Sequence, residues 1–199
     1  MHDAGHTALL AGGCVRDLLL GAQPQDFDVA TDATPERVCE LFRGTRRVGA
    51  QFGVVLVRQR RTWVEVATFR EDFQYRDGRR PEAIRYSDAR HDAQRRDFTI
   101  NGMFLDPLAA ELIDYVGGRF DLSARLVRAV GDPAQRFAED HLRLLRAVRF
   151  AARLGFEIEP TTLDAIRAFG DRLPRVAAER RREELDKMFA HPQRARALS

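Results

Sequence analysis

Ala8-Leu9-Leu10-Ala11-Gly12-Gly13-Cys14-Val15-Arg16-Asp17, followed by Asp26-Phe27-Asp28-Val29-Ala30, is the stretch on which the reading of this chain turns. An apolar run that stops at a glycine pair predicts a strand over Ala8–Ala11 and a tight turn. Cys14–Leu20 predicts a short helix, with Val15, Leu18 and Leu19 on its apolar side and Gly21 ending it. Phe27–Ala30 predicts a second strand. Residues i and i+2 of a strand share a face, so Asp26 and Asp28 are expected together, with Phe27 and Val29 turned into a core. Two carboxylates so close repel one another unless a cation lies between them. Mg²⁺ suits that place, being a hard ion that takes carboxylate and phosphate oxygens together. Gly12 and Gly13 let backbone approach a phosphate, and Arg16, one turn into the helix, reaches the same group. Each feature also has a plainer reading: two solvated acids at a strand end, and a tight turn beside a surface arginine.

Outward from this stretch the chain reads as mixed α/β. Thr34-Pro35-Glu36 predicts a helix start with Thr34 as N-cap, and Val38, Leu41 and Phe42 form its stripe. Gly53–Gln59 and Thr62–Phe69 are β-rich runs joined at Arg60-Arg61, a hairpin. Alternation puts Trp63, Glu65, Ala67 and Phe69 on one face. Glu65 among apolar neighbours needs a partner, and a third acid beside Asp26 and Asp28 is one reading. An edge-strand glutamate is the other. Arg70 to Gln94 carries little periodicity and reads as a long loop. A strand over Glu111–Tyr115 follows.

Near Pro133 the composition shifts to helical patterning. Leu142, Leu145, Val148 and Ala152 predict one apolar stripe closed by Gly155, and Thr161–Phe169 and Glu179–Phe189 predict two further helices. The expected division is an α/β domain over 1–135 and a helical domain over 136–199.

The 199 residues are 44% hydrophobic and 32% charged, which suits a folded domain with a wet surface and excludes a disordered chain. No apolar run approaches the roughly 20 residues that cross a bilayer, and no signal-peptide core follows the start. Cys14 and Cys39 alone exclude a disulfide scaffold and a cysteine-rich zinc site. The expected compartment is the cytoplasm. Of 33 basic residues only Lys187 is lysine. Codon bias explains most of that, although arginine's fork also grips phosphates in bidentate fashion.

Together, the Gly-Gly turn, the Asp-x-Asp and the acid on a following hairpin resemble the nucleotidyltransferase superfamily. Three further segments narrow the likeness. Arg95-Arg96-Asp97-Phe98-Thr99-Ile100-Asn101-Gly102 resembles the ribose-binding motif of class II tRNA nucleotidyltransferases (CCA-adding) and bacterial poly(A) polymerases. Glu139-Asp140-His141-Leu142-Arg143-Leu144-Leu145-Arg146-Ala147-Val148-Arg149-Phe150 resembles their nucleotide-selecting helix, and Glu179–Leu185 the structural motif that follows. The resemblance covers about residues 6 to 190.

It implies an α+β fold: a polymerase-β-like head with a mixed sheet and flanking helices, then an all-α neck, without the body and tail domains of longer members. It implies attack of a tRNA 3′-hydroxyl on the α-phosphate of CTP or ATP. Asp26 and Asp28 would hold Mg²⁺, with Glu65 assisting deprotonation. Gly13 and Arg16 would hold the triphosphate, and Arg96 and Asp97 the ribose. Asp140 and Arg143 offer an acceptor beside a donor, which matches C and A and mismatches G and U. Arg146 and Arg149 continue the series, but each i+3 step turns the side chain about 60° around the helix. Arg149 is therefore assigned to triphosphate, RNA or a structural acid. The segment Arg70–His91 resembles a flexible loop linked to the switch from C to A addition. A poly(A) polymerase, an enzyme adding only CC or only A, and a fragment that binds nucleotide or RNA without turnover share these motifs.

Overall fold

The computed structural model describes residues 1–48, 53–75, 81–192 and 194–197. Its contacts divide into two compact units: Met1–Asp72 with Ile84–Arg96 and Asn101–Val116, and Phe73–Ala83 with Asp97–Ile100 and Gly117–Ser199. Among the described residues no helix is long and apolar enough to cross a membrane.

The first unit is built on β1 (Ala8–Ala11), α1 (Gly13–Leu19), β2 (Asp28–Thr31), α2 (Pro35–Leu41), β3 (Thr45–Arg47), β4 (Val54–Gln59) and β5 (Thr62–Thr68). The chain then forms β6 (Arg70–Tyr75), β7 (Pro81–Tyr86), α3 (Ala89–Gln94), β8 (Met103–Asp106) and β9 (Glu111–Asp114). Seven strands form one sheet in the order β3-β4-β5-β2-β1-β8-β9. β2 and β5 run parallel and the other neighbours antiparallel. Ala33, Val38, Val55, Val57 and Val66 form a buried cluster that seats α2 on one face. Leu9, Ala11, Ala30, Phe69, Ala93 and Phe104 form another that seats α3. Thr34 caps α2 by accepting from the Arg37 N–H, with Pro35 at the first position, as its sequence predicts.

Four local expectations are corrected. Val15 is buried as expected, but Leu18, Leu19 and Leu20 are exposed, and Cys14 and Arg16 are buried beside it instead. β2 begins at Asp28, so Asp26 lies on the preceding bend and Phe27 is 42% exposed rather than in a core. Trp63 and Glu65 both face solvent rather than an apolar layer. The segment read as a loop after Arg70 is a two-stranded sheet, β6 with β7, followed by α3. It hid because ion pairs replace apolar alternation: Arg70 and Asp72, two apart on β6, pair at 3.0 Å, and Asp72 also meets Arg95 at 3.7 Å. Residues 76–80 of that segment lie outside the described residues.

The second unit contains α4 (Gly118–Ala124), β10 (Leu126–Val127), α5 (Pro133–Glu139), α6 (Leu142–Leu154), β11 (Glu157–Ile158), α7 (Pro160–Phe169) and α8 (Ala178–Phe189). α6 packs on α8, and α5 on α7. β10 and β11 form a short parallel pair. Phe98, Phe137, Ala147 and Phe150 are core residues, and the Phe98 and Phe150 rings meet edge to face at 5.7 Å. Gly155 ends α6 at φ 69°, as expected. The expected stripe of α6 is corrected: Leu145 and Val148 are half-buried, while Arg143, Ala147, Arg149 and Phe150 are buried. Arginines enter this interior because acids meet them there.

Candidate active site

In the first unit, register brings the acids together. Asp28 on β2 lies directly opposite Glu65 on parallel β5, so both side chains leave the same face. Asp26 sits two residues ahead of Asp28. Burial of its surroundings raises the Asp28 carboxyl above its ordinary range. Arg96 opposes that shift and the charge of Asp26 adds to it. Glu65 is exposed, but partial desolvation against the sheet raises it in the same direction, and the charge of Asp28 reinforces the shift. Among the described residues no hydrogen-bond donor reaches the side-chain oxygens of these acids, and no group of three or more His, Cys, Asp or Glu converges as a metal cluster. The donor set nevertheless fits a hard cation: carboxylate oxygens with unspent lone pairs, held at a cost of mutual repulsion that a positive ion relieves.

Gly12 is the constrained glycine of the turn. Its φ is 73°, and a Cβ there would stand 2.8 Å from Nη1 of Arg96. Gly13 opens α1. Arg16 is only 3% exposed; it donates to Asp17 at 2.6 Å and to Asn101 Oδ1 at 2.7 Å. Arg96 donates to Asp92 at 3.0 Å and to the Asn101 carbonyl at 3.2 Å, and its guanidinium lies 5.0 Å from the centre of the Phe104 ring. Asp92 also binds Arg95 at 2.6 Å. Burial by itself would raise the Asp92 carboxyl, but the two arginines more than offset it and hold it below the ordinary carboxylate range.

The second unit holds Asp97, Asp140, Arg143, Arg146 and Arg149. Asp97 accepts from the Phe98 N–H at 2.8 Å and from Arg146 at 2.7 and 2.5 Å. The Asp97 charge, foremost, raises the pKa of Arg146, so that guanidinium is fixed as a cation. Asp140 is not on α6. Its backbone is extended at the end of α5, and its carboxylate accepts from the Leu142 N–H at 3.0 Å. Both its oxygens are forked by Arg180, at 2.8 and 3.2 Å. Arg143 donates to Glu139 at 2.6 Å and to the Arg136 carbonyl at 2.8 Å. Asp140 and Arg143 are thus each oriented by a different partner. Arg149 meets Glu184 at 2.5 Å, the structural acid among its three expected assignments.

The sequence reading missed these orienting groups: Asp92, Glu139, Arg180 and Glu184. Glu139, Arg180 and Glu184 lie in the segments that carry the resemblance, but nothing in spacing alone ties position 180 to position 140.

A mixed sheet with helices on both faces, bearing Asp28 at the head of its central strand and Glu65 opposite, defines the polymerase-β-like nucleotidyltransferase heads. The chain matches the family described as "Poly A polymerase head domain" over residues 8–128 and belongs to it. Residues 155–199 match a second family, "Probable RNA and SrmB- binding site of polymerase A". The chain is 42% identical over 190 residues to the CCA-adding enzyme of Bacillus pumilus, covering 95% of this chain and 47% of that one. The Geobacillus stearothermophilus CCA-adding enzyme is 42% identical over 195 residues, 98% of this chain and 48% of the relative. The crystal structure of the Bacillus stearothermophilus CCA-adding enzyme in complex with CTP superposes with TM-score 0.91 at 38% identity, over 99% of this chain and 48% of that one. A tRNA nucleotidyltransferase complexed with a primer tRNA and an incoming ATP analog superposes with TM-score 0.82 at 29% identity, over 99% and 57%. The chain spans about half the length of the curated relatives it matches.

Proposed function

We propose that this chain carries the catalytic head, to about residue 135, and the helical neck, over 136–199, of a cytoplasmic tRNA nucleotidyltransferase that adds CMP and AMP to tRNA 3′ ends without a template. The observation that carries this reading is the opposition of Asp28 and Glu65 in register on neighbouring strands, with Asp26 two residues ahead of Asp28. Asp26 and Asp28 would hold Mg²⁺, which would supply charge to stabilise the α-phosphate and lower the pKa of the attacking hydroxyl. The RNA 3′-oxygen bonds to the α-phosphorus, the bond to the bridging oxygen breaks, and pyrophosphate leaves. Glu65, its pKa raised by burial and by Asp28, is suited to take the hydroxyl proton. Gly13 and Arg16 serve the triphosphate side, and Arg96 is held ready by Asp92. Asp97, already fixed by Arg146, accepts from the ribose 2′-hydroxyl. Asp140 accepts from the exocyclic amino group of C or A, and Arg143 donates to the ring nitrogen beside it; G and U present the reverse pattern. Arg149 supports α6 through Glu184. A tRNA that lacks its terminal CCA, incubated with ATP and CTP, should gain three residues and stop. A long A tail would instead identify a poly(A) polymerase.

A further inference from the structure

Between Glu40 and Glu65 the chain has no acid and six arginines: Arg43, Arg46, Arg47, Arg58, Arg60 and Arg61. All six are exposed, and among the described residues only Arg47 meets a carboxylate, Glu36 at 3.6 Å. The strand register brings two of them, Arg46 and Arg58, to the face of one aromatic. Arg46 lies opposite Leu56, Leu56 opposite Glu65, and Glu65 opposite Asp28, so these four share one face. One step along, Arg58 lies opposite Trp63 on that same face. Trp63 is 39% exposed, and Arg46 reaches over β4 to place its guanidinium 4.7 Å from the centre of the indole. Trp63 and Glu65, two apart on one strand, are separated by about 7 Å. The indole thus has Arg46 over it and Arg58 beside it, and among the described residues neither arginine meets a carboxylate.

We infer that this face is a docking surface for the single-stranded 3′ segment of an RNA, with a base stacked on Trp63 and the flanking phosphates held by Arg46, Arg58, Arg60 and Arg61. The assignment rests on the nucleotidyl-transfer reading, because it lays the strand on the sheet face that carries Asp28 and Glu65. Charge complementarity selects a polyanion. The indole selects one with planar bases, since stacking is open to every base and absent in a duplex, whose bases are already stacked.

Trp63 is the only tryptophan of the chain, so its emission reports this surface alone. The test titrates the protein with an unstructured RNA of about eight nucleotides, with duplex RNA and with heparin. The single strand should quench Trp63, and heparin, which has charge but no bases, should bind without comparable quenching. Binding measured by anisotropy of labelled RNA should weaken by about 5- to 100-fold in Trp63→Ala and stay within a few-fold of the parent in Trp63→Phe. The Arg46→Ala, Arg58→Ala double variant should reduce the log–log salt slope by about 1.4. Equal quenching by heparin and RNA, or an unchanged RNA affinity in Trp63→Ala, would overturn the assignment. None of these readouts needs turnover. Loss of the Trp63 signal with nucleotide addition intact defeats the surface and leaves the catalytic reading standing; a normal signal without addition does the opposite.

Discussion

Asp28 and Glu65 face one another across two neighbouring parallel strands, with Val29 beside Val66 in the next row on the opposite face. The valines fix the register by burial, and that register forces the two carboxylates together. Apolar packing thus holds a pair that electrostatics alone would separate. A raised carboxyl pKa means that ionisation works against the fold, and its cost appears as pH rises through the folded-state value. Metal-free Asp28→Asn is therefore expected to be at least as stable as the parent at neutral pH. The advantage should disappear below the ordinary aspartate value of 3.8. Thermal melts in a chelator at both pH values check this, and a clearly less stable Asp28→Asn at neutral pH would count against the cost of burying the carboxylate beside a like charge.

Asp92 is 1% exposed and satisfies Arg95 and Arg96 together. Asp92→Asn leaves two guanidinium groups short of a partner, which should cost about 3–5 kcal/mol of stability. In the surviving folded protein Arg96 loses its anchor, so KM for nucleotide should rise more than kcat falls. Urea unfolding and steady-state kinetics measure the two effects. Unchanged unfolding would show that Asp92 is not the anchor.

The sheet and hairpin were legible in the sequence, because Val55, Val57, Val64 and Val66 alternate cleanly and Arg60-Arg61 interrupts them. The Thr34–Pro35 cap and the Gly155 stop were legible for the same reason: their chemistry is local. β6 and α3 were not, since Asp72 and Asp92 are satisfied by Arg70, Arg95 and Arg96, and their burial depends on partners rather than on pattern. Asp26 and Asp28 were singled out by an i, i+2 spacing and a resemblance, although Asp26 lies on the bend ahead of β2, and the pairing of Asp28 with Glu65 comes from the parallel register. The partners that orient Asp140 and Arg143 lie beyond any spacing argument, for Arg180 is 40 residues from Asp140.

Arg180 holds both oxygens of Asp140. Arg180→Ala should therefore relax discrimination against UTP and GTP in the same direction as Asp140→Ala. The loss is bounded by the roughly 1–3 kcal/mol of a good base-edge contact. Arg149→Met removes the Glu184 partner instead, and should lower stability while leaving nucleotide ratios alone. Relative incorporation of the four nucleotides separates the two, and altered ratios in Arg149→Met would place that residue at the base.

Glu159 caps α7 by accepting from the Thr162 N–H at 2.8 Å and from the Thr161 and Thr162 hydroxyls. Burial pushes its carboxyl up, but these hydrogen bonds outweigh it and bring the pKa down to about 2 from 4.5. Its contribution is complete above 4.5 and lost as pH falls toward about 2. Glu159→Ala should cost about 1–2 kcal/mol at neutral pH. The difference from the parent should shrink across that acid window. A gap independent of pH would mean that the carboxylate charge contributes nothing there.

Nucleotide addition by Asp28→Ala and by the parent, side by side, tests the central claim most directly. The substrate is an RNA that ends just before CCA, supplied with CTP, ATP and Mg²⁺, and the products are resolved to single nucleotides. The parent should add C, C and A and then stop, and Asp28→Ala, still folded by circular dichroism, should add nothing measurable. Near-normal addition by Asp28→Ala would contradict the account, because the carboxylates opposed on β2 and β5 would then not be where transfer takes place.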